Sequence, residues 1–266
     1  MAAAASATLT AASARRARGL RVAGVRIAIL VALLTAWEIV ARSGWLFRDV
    51  VPTLPVIGRA VLRMLADPAF YANLKVTALE IAAALAIGGG VGLIMGLLLG
   101  GSRFLSRAYE GIVYYLGPTP KIIFFPIMIL WFGTGAGSKI AMGALSCFFP
   151  IVISVASGMR EIPSVLIRVG QSFRANPWQM SRLVYLPAMR APIVNGVRLG
   201  LGIAIIGTLL AETKLSNQGL GYLVIQAYAT FDMPRMYALL IILFVLAIGA
   251  NALIGRYGSR APARSR

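Results

Sequence analysis

An all-α polytopic membrane fold with about six transmembrane helices follows from three features of the sequence. The 266 residues are 59% hydrophobic and only 13% charged, with a mean hydropathy of +0.83. That is more apolar surface than a soluble domain of this length can bury, so lipid must cover the remainder. Apolar runs recur at about the 20 residues that a helix needs to cross a hydrocarbon core of about 30 Å. The basic residues gather at the ends of those runs, where Arg and Lys set the orientation of a membrane protein.

The opening residues Met1 to Leu20 are rich in Ala and Ser, and Arg15, Arg16 and Arg18 follow the weakly apolar stretch. A secretory signal places its charge before the apolar core, so residues 1–21 are expected to be a disordered cytoplasmic tail. A single membrane domain is expected over 22–256. Its spans fall at Val22 to Val40, Val76 to Leu99, Ile112 to Phe132, Ile140 to Gly158, Ile193 to Ala211 and Tyr237 to Ile254. The third contains Pro118, Pro120, Pro126 and Lys121, so it must kink or start late and rely on neighbouring helices to satisfy freed carbonyls. Gly88, Gly92, Gly96 and Gly100 recur every four residues on the second span, and Gly196 and Gly200 repeat the spacing on the fifth. Such small faces let helix backbones approach closely in lipid, and packing is their expected role. Residues 257–266 are expected to form a basic cytoplasmic tail.

The net charge of +18 does not indicate nucleic acid, because the basic residues form no single stripe with interleaved aromatics. They sort by side of the membrane instead. One side collects Arg15 to Arg21, Arg103 and Arg107, then Arg160, Arg168, Arg174, Arg182 and Arg190, then Arg256 to Arg266. The other holds Arg42, Arg48, Arg59, Arg63, Lys75, Lys139, Lys214 and Arg235. Fifteen against eight places both termini, and the connection 159–192, in the cytoplasm.

Several chemistries are excluded. Cys147 is the only cysteine and histidine is absent, which removes intrachain disulfides, thiolate metal cages, zinc sites and Ser-His-Asp catalysis. No metal site is expected. No G-x-x-x-x-G-K-[ST] run exists to cradle phosphates, so any nucleotide chemistry belongs to another polypeptide. Charges inside apolar runs are costly and mark possible pathway positions. Glu38, Glu80 and Lys121 qualify, although each lies near a span end or kink where it can snorkel or pair. Glu212 and the turn Asn217 to Gly221 sit at the expected outer mouth. An ion-gradient transporter is the alternative function, and it predicts an inverted repeat with grouped mid-membrane carboxylates; the sequence shows neither.

Between the fourth and fifth spans lies EIPSVLIRVGQSFRANPWQMSRLVYLPAMRAP, too polar to span and too patterned for a loose linker. Pro163 suits a first helical position, and Leu166, Val169, Gly170 and Phe173 then share one face. A second helix start follows, with Asn176 as N-cap, Pro177 at the first position and Gln179 as capping-box partner. Pro187 and Pro192 are expected to limit that helix to a few turns. Two short helices with Trp178 and exposed arginines make a docking element; a surface-lying amphipathic segment is the bland alternative.

These residues resemble the cytoplasmic loop of the permease subunits of ABC importers, the binding-protein-dependent inner-membrane components. That loop reads E-A-A, three residues, G, nine residues, an aliphatic residue, one residue, then L-P. Here the frame falls on Arg168, Val169 and Gly170, then Arg174, then Val184, Leu186 and Pro187. Arg replaces both the Glu and the Gly, so Ala175 and Asn176 are expected to make the turn, Asn tolerating positive φ better. The resemblance covers about Pro52 to Gly255. The runs PTPKIIFFPIMILWFGTGAGSKIAMGALSCFFPIVIS and AETKLSNQGLGYLV look like the branch that handles nitrate, sulfonates, taurine and thiamine-pyrimidine precursors.

The resemblance implies a type I importer permease fold with a cytoplasmic pair of coupling helices. It implies two permease copies, most simply a homodimer, lining one pathway in a bacterial inner membrane. Two ATPase subunits would dock below and use ATP and Mg²⁺, while a soluble binding protein would deliver a small solute from outside. The chain itself would bind no cofactor and catalyse no reaction. The implied coupling residues are Arg168, Val169, Gly170, Phe173, Arg174, Ala175, Asn176, Pro177, Trp178, Val184, Leu186 and Pro187.

Overall fold

A computed structural model describes residues 2–45 and 50–258, with side chains described over 21–45 and 50–256. Among the described residues every regular element is helical. The chain runs α1 (Ala2–Ser43), α2 (Leu54–Leu65), α3 (Pro68–Gly101), α4 (Arg103–Leu116), α5 (Phe125–Phe132) and α6 (Ala136–Arg160). It continues through α7 (Ser164–Ser172), α8 (Pro177–Met180), α9 (Leu186–Lys214), α10 (Leu220–Ala229) and α11 (Met233–Gly258). A 3₁₀ turn, Lys121–Phe124, precedes α5, and a π-helical stretch, Ser181–Tyr185, joins α8 to α9.

Five helices are long and apolar enough to cross a bilayer: Arg21–Ser43, Pro68–Gly101, Ala136–Arg160, Pro177–Lys214 and Met233–Arg256. The expected third span is a broken pair, Arg103–Leu116 and Lys121–Phe132, bent by 92°. Helix packing decides how that pair runs. On α3, a Cβ at Gly88 would meet Ala144 on α6, one at Gly96 would meet Val155, and one at Gly100 would meet Met159. Contacts that advance together along both helices mean that α3 and α6 are parallel. The chain must therefore recross between them, and α4 with α5 is the return span. Against α9 the order reverses: Gly196 faces Ser154, Gly200 faces Ile151 and Gly207 faces Ser146. Helix α6 is thus the centre of the bundle, held between parallel α3 and antiparallel α9.

The close approach depends on those small residues. A Cβ at Gly88 would stand 2.2 Å from the Ala144 carbonyl oxygen, inside any possible contact, so two backbones touch where lipid gives no hydrophobic drive to association. Cys147, Ile151, Val155, Met189 and Ala204 fill the space between α6 and α9. Cys147 is fully buried, in keeping with a packing residue.

Helix α1 runs over Ala2–Ser43, where a structureless stretch was expected over 1–21; the Ala-rich composition favours helix. The span-length part begins at Arg21. The basic tail expected over 257–266 lies outside the described residues beyond Gly258. Helices α2 and α10 have no counterpart among the expected spans; both are too short to cross. Glu38, one of the span carboxylates, accepts from the Leu54 amide (2.9 Å) and pairs with Arg42 (2.6 Å). With the Trp37 indole donating to the Pro52 carbonyl (3.1 Å), it pins the end of α1 to the start of α2.

Candidate functional site

The bundle carries two polar constructions, one at each end. The first is the connection from α6 to α9. Asn176 caps α8 as expected: its Oδ1 accepts from the Gln179 amide (2.8 Å), and Gln179 Oε1 accepts from the Asn176 amide (2.9 Å). Pro163 sits at the N-cap of α7, with ψ 126°, one position earlier than its missing N–H suggested.

The turn between α7 and α8 differs from expectation. Asn176 has φ −69°, and Arg174 takes the left-handed conformation at φ 51°. The Ala175 amide donates to the Gly170 carbonyl (3.1 Å) and the Arg174 amide to the Gln171 carbonyl (2.9 Å). That pair of bonds is the Schellman ending of a helix, whose left-handed residue is usually Gly. Arg174 thus occupies the position of the loop glycine and adopts its geometry without its freedom.

Pro187 and Pro192 do not end the second helix. The π stretch Ser181–Tyr185 lies just ahead of Pro187 and widens the turn whose carbonyl the ring would strike. Helix then continues from Pro177 to Lys214, with Pro192 inside α9. The Ser154 hydroxyl donates to the Pro192 carbonyl (2.9 Å), and Gly158 leaves room for the Pro192 ring. Gly170 packs on Met180, closing the hairpin, while Ile162 and Met189 are buried with Val155, and Ile167 and Tyr185 pack against them. The hairpin is therefore rooted in the bundle core. Its apolar tip is not covered: Phe173 is 83% and Trp178 72% exposed. Val169 and Leu186 are exposed beside them, as are Arg168, Arg174 and Pro177; Ala175 and Val184 are half-buried and Pro187 exposed. At the base, Arg160 makes a two-pronged ion pair with Glu110 of α4, and the Ser106 hydroxyl donates to the same carboxylate (2.6 Å).

The second construction lies at the opposite end, where α3 and α6 begin and α9 stops. Glu212 is fully buried. Its Oε1 accepts from the Thr77 hydroxyl (2.7 Å) and its Oε2 from the Gly221 amide (2.6 Å). Thr77 Oγ1 accepts from the Leu220 amide and Asn73 Oδ1 from the Gly219 amide, both at 2.8 Å. Three side chains from α3 and α9 thus satisfy the first amides of α10, the groups a helix start leaves unpaired. Gly219 has φ 104°, and a Cβ there would lie 2.5 Å from the Glu212 carboxyl carbon. The Gly-rich turn folds around the carboxylate.

Glu80 and Lys139 complete this cluster. Glu80 is 4% and Lys139 2% exposed. Lys139 Nζ donates to the Thr134 carbonyl and lies within electrostatic reach of both carboxylates. Glu80 Oε2 and Thr208 Oγ1 are the buried side-chain oxygens without a hydrogen-bond partner among the described residues. Lys121, the third expected pathway residue, is at the broken span instead. Its ammonium donates to the Gly117 and Thr119 carbonyls, the latter at 3.1 Å, and stands 5.0 Å from the Phe149 ring centroid, so it satisfies carbonyls that the break sets free. Lys139, Thr77 and Asn73 carry no sequence signal of their roles: Lys139 reads as one more flanking cation, and its partners lie on other helices. Among the described residues no group of three or more His, Cys, Asp or Glu is placed to hold a metal ion.

Residues 88–261 match the family described as binding-protein-dependent transport system inner membrane component. A probable ABC transporter permease protein of Haemophilus influenzae is 32% identical over 222 residues, 83% of this chain and 89% of that protein. The taurine transport system permease protein TauC of Escherichia coli is 30% identical over 240 residues, 85% and 86% of the two chains. A solved structure of the MetNI methionine ABC transporter in an inward-facing conformation has the same fold. The TM-score is 0.55 at 24% identity, over 78% of this chain and 94% of that one.

Proposed function

The chain belongs to the binding-protein-dependent transport system inner membrane components, the permeases of ABC importers, and we propose that its α7–α8 hairpin is the handle by which a separate ATPase drives it. One observation carries this reading: the hairpin is anchored in the core between α6 and α9, yet holds Phe173 and Trp178 out uncovered. An aromatic pair projecting from a rigid base is what a groove on a partner can grip. Driving a two-state pathway from about 1:99 to 99:1 takes roughly 5.5 kcal/mol of differential binding, and only a stiff connection passes that on. The π stretch and helix Pro177–Lys214 supply it, since α8 and α9 form one continuous rod.

Two copies of this chain line one pathway, and two ATPase subunits hold the ATP and Mg²⁺ on the hairpin side. That side is the cytoplasmic one in this reading, which the charge distribution supports, and a count of six spans, with the broken pair taken as one, is consistent with both termini sharing it. The chain contributes no catalytic group. A soluble binding protein delivers cargo to the opposite end, in a bacterial inner membrane. The cargo is a small solute of the kind handled by relatives such as the taurine permease. Replacing both Phe173 and Trp178 by Ala is expected to abolish co-purification of the ATPase, at least about 2 kcal/mol being lost for each central interface aromatic. Undiminished co-purification and ATP-driven uptake would rule the handle out.

A further inference from the structure

A groove of about 400 Å³ runs along the bundle between α3, α9 and α11, with Leu74, Ile81, Leu201, Ile205, Leu243 and Leu253 in its walls. Thr77 is the only polar side chain lining it, and its hydroxyl is committed to Glu212 and the Leu220 amide. From Leu243 to Ile254 the α11 wall rises about 16 Å, close to the roughly 15 Å depth of one hydrocarbon leaflet. Ala82, Leu246 and Leu253 line the groove yet stay exposed, so its flank is open.

The end nearest the hairpin carries a charge. Arg198 lies within the expected fifth span, and with Leu201 and Ile205 it shares one face of α9 at i, i+3 and i+7; Ala247, Ala250, Asn251 and Ile254 likewise share one face of α11. Arg198 Nε donates to Asn251 Oδ1 (2.6 Å). The guanidinium lies over Gly255, where a Cβ would stand 3.6 Å from it. Asn251 is neutral, and no carboxylate among the described residues pairs with Arg198. A charge within a span is costly unless something meets it. Asn251 takes only one of the guanidinium N–H groups, and Arg198 remains exposed.

We propose that this groove holds one acyl chain of an anionic phospholipid from the leaflet on the hairpin side, with the lipid phosphate on the Arg198 guanidinium. An apolar trough of one leaflet's depth, ending at an arginine that no carboxylate neutralises, matches such a lipid in both length and charge. A fork of N–H donors suits a phosphodiester. A headgroup of net negative charge balances the guanidinium, whereas a choline headgroup brings a second cation beside it. The chain of the lipid fills the space that α3 and α11 leave between them.

The test is native mass spectrometry of the full chain, delipidated in detergent and titrated with dioleoyl phosphatidylglycerol or dioleoyl phosphatidylcholine, which share their chains and differ in headgroup. The first phosphatidylglycerol is expected to bind about fivefold tighter than the first phosphatidylcholine, equivalent to the roughly 1 kcal/mol that one arginine contributes at an anionic surface. Arg198→Gln is expected to abolish that preference, and Arg21→Gln, at the start of the first span, to keep it. Ala82→Phe fills the groove with Arg198 in place and is expected to weaken binding of both lipids. Inorganic phosphate, which has no chain to seat, is expected not to displace phosphatidylglycerol. Equal affinities for the two lipids, a preference that survives Arg198→Gln, or displacement by phosphate would each overturn the proposal. So would lipid binding by Ala82→Phe equal to that of the unaltered chain. A groove covered by a second copy would show itself as a dimer that Ala82→Phe dissociates, with the two lipids bound alike, and that too overturns the lipid assignment. Should Arg198→Gln fail to fold, the two-lipid comparison on the unaltered chain and on Ala82→Phe decides.

Discussion

Arg174 shows how a single side chain reports a departure from the usual turn chemistry. Its φ of 51° places a long, branched-headgroup residue where the left-handed conformation costs about 1–2 kcal/mol. Arg174→Gly is therefore expected to raise stability by about 1 kcal/mol, measurable as a higher unfolding midpoint in bicelles, with the α7–α8 bonds unchanged. The sequence frame located this position, because the nine-residue spacing from Arg174 to Val184, with Leu186 and Pro187 following, survives both replacements. It did not show that Arg174 would keep the glycine's geometry and leave Asn176 free to cap the next helix. Glu212 is the counterpart at the other end. Glu212→Ala would leave the Thr77 hydroxyl and the Gly221 amide buried without an acceptor, at about 1–3 kcal/mol each. Loss of folded protein is expected, with early proteolysis at the 215–219 turn. A wild-type midpoint for this variant would mean the carboxylate does not hold the turn.

The helices divide by how plainly they could be read. The five long spans were legible because bilayer thickness imposes a length; three of the observed helices extend the expected run by a few residues, while two begin well before it, at Pro68 and Pro177. The broken third span was signalled by Pro118, Pro120 and Pro126, but not its 92° bend or the donation by Lys121 to the Gly117 and Thr119 carbonyls at the break. Helices α2 and α10 were not legible. One is a short amphipathic stretch carrying Arg59 and Arg63, and the other follows a Gly-rich turn that reads as a loop. The α3 glycine stripe gives a sharp contrast for testing. Gly88→Ala forces a Cβ into the α6 backbone and is expected to cost about 1–3 kcal/mol. Gly90→Ala has nothing within 4 Å and is expected to be neutral or to gain up to about 1 kcal/mol of helix propensity. Equal effects in paired unfolding measurements would mean that the stripe does not set the α3–α6 contact.

The two ends of the bundle are joined by the same three helices. Helix α6 begins at Lys139's cluster and ends at Arg160, whose ion pair with Glu110 reaches the broken span; α9 begins in the hairpin and ends at Glu212. Phe173 and Trp178 therefore have a continuous helical route to the opposite end of the bundle. The second helix start of the hairpin was legible because capping is local, whereas its Schellman turn at Arg174 was not, since Arg carries no signal for a left-handed position. The outer cluster was not, because Asn73, Thr77, Glu80, Lys139 and Glu212 meet only after folding brings α3, α6 and α9 together. Proteoliposomes holding this chain with its cognate ATPase and binding protein are expected to accumulate cargo against a gradient only when ATP is supplied on the hairpin side. The chain alone is expected to show no uphill uptake under a proton or sodium gradient. Uphill uptake by the chain alone would show that the hairpin is not where the driving force enters.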